Sequence, residues 1–193
     1  MKLVVVNHLS LDGVMQAPGR ADEDTRGGFT HGGWAAAGSD AVVGQALGEH
    51  MGRSAGLLFG RRTYEEVLGH WNREYNDVFT PALNHATKYV VSRRLRDPLL
   101  WPNSVLVGGD AVDAVRRLKA ESGDELLVMG SGNLIQTLLP HDLIDEYVLL
   151  IHPIVLGSGL RLFPAGTPPS TLSLVSSISA PSGVLAVTYA AAT

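Results

Sequence analysis

Six short, near-continuous apolar runs punctuate the chain, each bounded by glycine or polar residues: KLVVVNHL, GLLFG, KYVVS, SVLVG, ELLVMG and EYVLLIHPIVL. Strands covered on both faces read this way, because alternation appears only where one face meets water. Helical patterns lie between several of them. Residues 110–123 place Asp110 as an N-cap, Val112, Val115 and Leu118 on one face, basic residues in the last turn and Gly123 as a stop. Residues 40–53, 63–70 and 133–139 are further helix candidates. Strands alternating with helices specify a largely parallel α/β sheet with helices on both faces. The end of the chain changes character: STLSLVSSIS and GVLAVTYA alternate, and Ala180-Pro181-Ser182-Gly183 between them signals a turn. This predicts an antiparallel hairpin on the sheet edge. The Gly/Asp-rich stretch 17–33 reads as a long loop, of the kind that is usually functional or mobile.

A chain of 193 residues with 45% hydrophobic and 18% charged content is enough for one core, so one domain over 1–193 is expected. A net charge of −4 without a lysine-rich stripe argues against nucleic acid as a partner. There is no cysteine, which removes disulfides and thiol chemistry and suits a reducing cytoplasm. The N-terminus lacks the apolar length of a signal peptide. The longest apolar stretch is broken by His152 and Pro153 and falls short of the roughly 20 residues a membrane helix needs. A cytoplasmic protein with no membrane partner is expected. The seven histidines never form a His-x-x-x-His pair, so no metal site is expected. Neither a Gly-x-Ser-x-Gly elbow nor a Gly-x-x-x-x-Gly-Lys-Ser/Thr loop occurs.

Three strand ends carry polar turns. LLVMGSGNLIQTLL runs from a strand through Gly130-Ser131-Gly132 towards a helix, where bared N–H groups suit a phosphate; a plain tight turn looks the same. It fails the Gly-x-Gly-x-x-Gly fingerprint, since Ile135 takes the third glycine's place. In GLLFGRRTYEEV, Gly60 is followed by Arg61, Arg62 and Thr63, with Thr63 placed to cap and the arginines to donate to an anion. KYVVSRR repeats this with Ser92, Arg93 and Arg94. Each arginine alone reads equally as a solvated surface charge. Together the three turns point to a ligand at the carboxyl ends of the strands.

The ordered set SLDGV, LLFGRRTYE, KYVVSR, LLVMGSGNLIQTLL, LIDEYVLLIHPIVLGSGLRLF and a final SGVLAVTY resembles the dihydrofolate-reductase-like family. Within it, the likeness is to the bacterial branch grouped with RibD, the C-terminal reductase domain of riboflavin biosynthesis. The resemblance implies a three-layer α/β/α fold with a mixed, mostly parallel eight-stranded sheet, NADPH as cofactor and commonly a homodimer. It places Gly60, Arg61, Arg62 and Thr63 along the cofactor's phosphates, and Ser92 and Arg93 at the adenosine ribose with its 2′-phosphate. Gly130, Ser131, Gly132, Asn133 and Leu134 would cradle the pyrophosphate. Asn7 and His8 would meet the carboxamide through backbone groups, with Val14 and Met15 packed near the ring.

The implied reaction is hydride delivery to an imine or carbonyl carbon of a small heterocycle, as in dihydrofolate reduction or reduction of 5-amino-6-(5-phosphoribosylamino)uracil. A non-catalytic nucleotide-binding dimer that kept the fold is the alternative. Asp12, just after the first strand, is the candidate catalytic carboxylate, and a turn-forming Asp-Gly is the competing reading. The first-helix acid of folate reductases has no counterpart in pattern, since that region offers only Asp40 and Glu49. His31 and His152 read either as substrate-site or as structural residues, and Trp34 and Trp71 either as stacking or as core residues.

Overall fold

The computed structural model describes residues 1–71 and 80–192. Its eight strands are β1 (Lys2–Ser10), β2 (Ser54–Gly60), β3 (Lys88–Val91), β4 (Ser104–Val107), β5 (Glu125–Met129), β6 (Glu146–His152), β7 (Leu172–Ser179) and β8 (Leu185–Ala191). They form one open sheet in the order β4-β3-β2-β5-β1-β6-β8-β7. The first six in that order are mutually parallel, while β8 runs antiparallel to β6 and β7. The hairpin expected at the end of the chain is β7–β8, closed by Gly183 N–H donating to Ala180 O and Ala180 N–H to Val184 O.

The central strands are apolar without alternation because both faces are covered. On one face Leu3, Val5, Leu58, Leu126 and Val128 pack with Val112, Val115 and Leu118 of α4 (Ala111–Lys119) and Leu134, Ile135 and Leu138 of α5 (Gly132–Leu138). On the other, Val4, Val6, Leu57, Phe59, Val90 and Leu127 pack with Leu47 and Met51 of α1 (Ala41–Arg53), Tyr64 of α2 (Arg61–Trp71) and Leu83 of α3 (Thr80–His85). The neighbours in sequence thus point to opposite layers, as the pleat requires. The architecture is the three-layer α/β/α arrangement.

Helix boundaries depart from the sequence reading at the end of α4 and the start of α2. α4 is capped by Asp110, whose carboxylate accepts from Val112 and Asp113 N–H, but it ends at Lys119, four residues before Gly123. α2 begins at Arg61, so Thr63 lies inside the first turn and is not its N-cap. α5 has only seven residues before a 3-10 turn at Leu139–His141, which limits any dipole at its start. Among the described residues no helix is long and apolar enough to cross a membrane.

Candidate active site

Because β3, β2, β5, β1 and β6 are consecutive and parallel, their carboxyl ends line one edge of the sheet. At spacings of about 4.8 Å, the ends of β3 and β1 stand about 14 Å apart, with the ends of β2 and β5 between them. The turns after β3, β2 and β5 therefore fall in a row. Those after β2 and β5 are fastened together: Gly60 N–H donates to Ser131 Oγ at 2.8 Å. A Cβ built on Gly130 would lie 3.5 Å from Thr63 Cγ2, so Thr63 faces this turn instead of capping α2.

The charges at this edge differ in availability. Arg61 is tied to Glu65, four residues on, at 2.6 Å. Arg62 and Arg93 are exposed, and among the described residues their guanidinium groups have no acidic partner. Ser92 Oγ accepts from the N–H groups of Arg94 and Leu95, which holds the turn that presents Arg93. The first N–H groups of α2, an eleven-residue helix, open on the same edge. Bare backbone, helix donors and two unneutralised guanidinium groups suit a ligand carrying several phosphates. Asn133 is exposed and Leu134 is buried in the core, so Leu134 offers only its backbone there.

The β1 end meets this row through Met15. A Cβ on Gly132 would fall 2.2 Å from Met15 Cε and 2.7 Å from a Leu160 methyl, so glycine is needed for Met15 to lie against the turn. The buried amide of Asn7 points to Met15 Sδ at 3.7 Å. Asn7, Met15 and Gly132 are thus brought together. Beside them a cavity of about 400 Å³ is lined by Gln16, Arg26, Gly27, Gly28, Phe29, Ser158, Gly159 and Leu160.

Asp12 is placed close by but turned to another task. Its carboxylate accepts from Leu156 N–H (3.0 Å), Gly157 N–H (2.9 Å), Ser10 Oγ (2.7 Å) and Arg161 Nη2 (3.2 Å). The Leu156 bond first, then that from Ser10, holds its acidity well below the usual carboxylate range. Such a group remains ionised at neutral pH with its lone pairs spent, and it has no proton to give. Val14 pairs with Arg161, Met15 N–H donates to Leu160 O, and Leu160 N–H donates to Gln16 Oε1, so loops 11–16 and 153–163 form one unit.

His8 lies on the opposite face of β1 from Asn7, and its ring meets a second histidine: Nδ1 stands 2.8 Å from His152 Nε2. Trp34 sets its edge against His152, with centroids 5.3 Å apart, and donates Nε1–H to Gln16 O. His31 is exposed, with its ring edge-on to Phe29. The Trp71 side chain lies outside the described residues. Asp40 caps α1 by accepting from Val43 N–H and also accepts from Ser182 N–H, while Glu49 accepts from Gln45 at the surface. Neither acid reaches the cleft. No cluster of three or more His, Asp or Glu fit for a metal occurs among the described residues.

An open, mostly parallel α/β/α sheet of eight strands with a polar row along its carboxyl edge is the dihydrofolate-reductase-like fold. It is shared by dihydrofolate reductase from Enterococcus faecalis complexed with NADP(H), at a TM-score of 0.61 and 11% identity, covering 100% of this chain and 97% of that one. The chain belongs to the RibD C-terminal domain family, whose model matches residues 1–186. A protein of Shewanella sp. PV-4 ascribed to riboflavin biosynthesis has 25% identity and a TM-score of 0.71, with both chains covered over 100%. The uncharacterized protein YyaP of Bacillus subtilis is 28% identical over 138 residues, 69% of this chain and 72% of that protein.

Proposed function

We propose that this protein is an NADPH-dependent reductase that delivers hydride to the imine or carbonyl carbon of a small heterocycle, with the dinucleotide lying along the carboxyl edge of the sheet. The observation that carries the reading is the row itself: polar turns on β3, β2 and β5 in adjacent positions, the last of them packed at Gly132 against Met15 and against Leu160, which also lines the cavity. In this reading Arg93, with Ser92 shaping its turn, holds the 2′-phosphate. The N–H groups at the start of α2 and the turn Gly130 to Asn133 hold the pyrophosphate, with Arg62 beside them. Asn7 and Met15 border the nicotinamide, which when bound supplies the hydride. Asp12, through Leu156, Gly157 and Arg161, is a positioning residue that fixes the loops walling the acceptor's side.

A charge-assisted contact to the extra phosphate contributes roughly 1.5–3 kcal/mol, a factor of about 10 to 150 in affinity. Arg93→Ala is therefore expected to weaken NADPH by that factor and NADH by less than about twofold, read by fluorescence titration. Equal losses for the two cofactors contradict the assignment.

Among the described residues no free carboxylic acid stands in the cleft, which favours a second reading, a nucleotide-binding protein without the reaction. Its mark is NADPH affinity with no turnover.

We further propose a homodimer formed through β7. This strand is exposed along most of its length, presents Leu174, Val175 and Ile178 to solvent and carries no charge. An uncharged apolar edge is what a sheet covers or pairs, and a second copy offers an identical one.

A further inference from the structure

The reduction consumes a proton, and among the described residues the carboxylates near the cleft are committed elsewhere: Asp12 to the loop 153–163, and Asp24 to Arg26 of the cavity wall. We propose that the His8–His152 pair supplies that proton, with His8 touching the substrate and His152 positioning it. This rests on the reductase reading above.

The two side chains share a sheet face, since β1 and β6 are parallel with His8 opposite Leu150 and Ser10 opposite His152. They stand at the carboxyl edge, His8 one strand and His152 two strands from the turn at Gly130. His152 is the inner member, 3% exposed, and His8 the outer, partly exposed one. The inner ring is fixed on its far side: a Cβ on Gly38 would lie 2.5 Å from its Nδ1, and Trp34 packs edge-on against it. Because His8 uses Nδ1 towards His152, its Nε2 is the nitrogen left over. Among the described residues nothing bonds to it. A 2.8 Å bond between imidazoles requires one donor and one acceptor, so the pair is stable when neutral or singly protonated and loses the bond when doubly protonated. It is a device for carrying one proton.

The balance is simple. As hydride forms the new C–H bond, the π pair of the C=N or C=O moves to nitrogen or oxygen, which takes the proton from His8 Nε2. The pair goes from cation to neutral, and solvent restores the proton. Burial, and then the His152 charge, lower His8 to about 4, and burial lowers His152 as well. Among the described residues, no carboxylate or cation from the Trp34–Asp40 stretch or the loop after β1 acts on either ring, and His152 is the charged group that bears on His8. The proton is therefore held weakly until negative charge develops beside it, and turnover should fall as pH rises from about 5 to 9.

The test pairs imidazole nitrogen NMR on the unliganded protein with kinetics. In the wild type a single protonation is expected below about pH 5, with the His8 and His152 nitrogen signals moving together. In His152→Asn, His8 should titrate closer to its ordinary value, and the pH profile of kcat should shift upward with it. His8→Gln keeps a hydrogen-bonding group and should lower kcat by about 100-fold or more, with NADPH Kd within twofold, using 5-amino-6-(5-phosphoribosylamino)uracil and dihydrofolate as acceptors. The unchanged Kd reports an intact fold. Independent titration of the two histidines, or wild-type kcat and pH profile in His8→Gln, overturns the proposal and leaves the reductase reading standing. A wild-type protein that binds NADPH and reduces neither acceptor overturns both.

Discussion

Asp12 illustrates how one side chain changes meaning between sequence and structure. Its carboxylate ties Ser10 to Leu156, Gly157 and Arg161, contacts 144 to 149 positions away for the latter three. The bonds favour the charged form, so its folded pKa lies below the unfolded value of about 3.9. The stabilisation is therefore present above that value and fades as pH falls beneath it towards the folded pKa. Asp12→Asn is expected to lower Tm by a few degrees at pH 7, with the gap to wild type closing below pH 4. A gap constant from pH 7 to pH 2 contradicts this account. The turn position of Asp12 was readable from Ser-Leu-Asp-Gly, but its partners were not, because only the fold brings the loop after β6 against the loop after β1. The same holds for His8 and His152: each is an isolated histidine in an apolar strand until β1 and β6 prove to be neighbours.

At the level of elements, the apolar runs and the final hairpin were readable because burial on both faces and turn chemistry act over a few residues. Thr63 was not, because capping preference ranks residue types but does not say where the helix starts; α2 begins two residues earlier, at Arg61, and Thr63 serves the contact with Gly130. Likewise Asn133 and Leu134 look alike as turn residues, yet the first is exposed and the second packs into the core. β7 gives the element-scale expectation. Val175 and Ile178 are 60% and 52% exposed, too much apolar surface for an edge strand that faces only water. The wild type should sediment at twice the chain mass, and Val175→Lys with Ile178→Lys should give the single-chain mass with NADPH affinity retained. Wild-type protein that sediments as a single chain rules out the dimer.

For the molecule as a whole, the strand order is what makes a site. Three polar turns scattered between residues 60 and 134 become one row because β2 sits between β3 and β5, and that order is absent from the local pattern. The motif set suggested a dinucleotide fold through family likeness; the geometry adds that the row ends at Met15 and a cavity of about 400 Å³. It also separates the arginines, since Arg61 is paired within α2 while Arg62 and Arg93 have no acidic partner among the described residues, on a chain whose net charge is −4. The central claim is that hydride crosses from NADPH in this row to a heterocycle beside β1. Incubation with NADPH deuterated on the transferred face of the nicotinamide C4, followed by mass spectrometry of the product, measures it directly. A product heavier by about one mass unit, from 5-amino-6-(5-phosphoribosylamino)uracil or a related imine, is the expected result. NADPH binding without label in any product contradicts it and leaves a nucleotide-binding protein in its place.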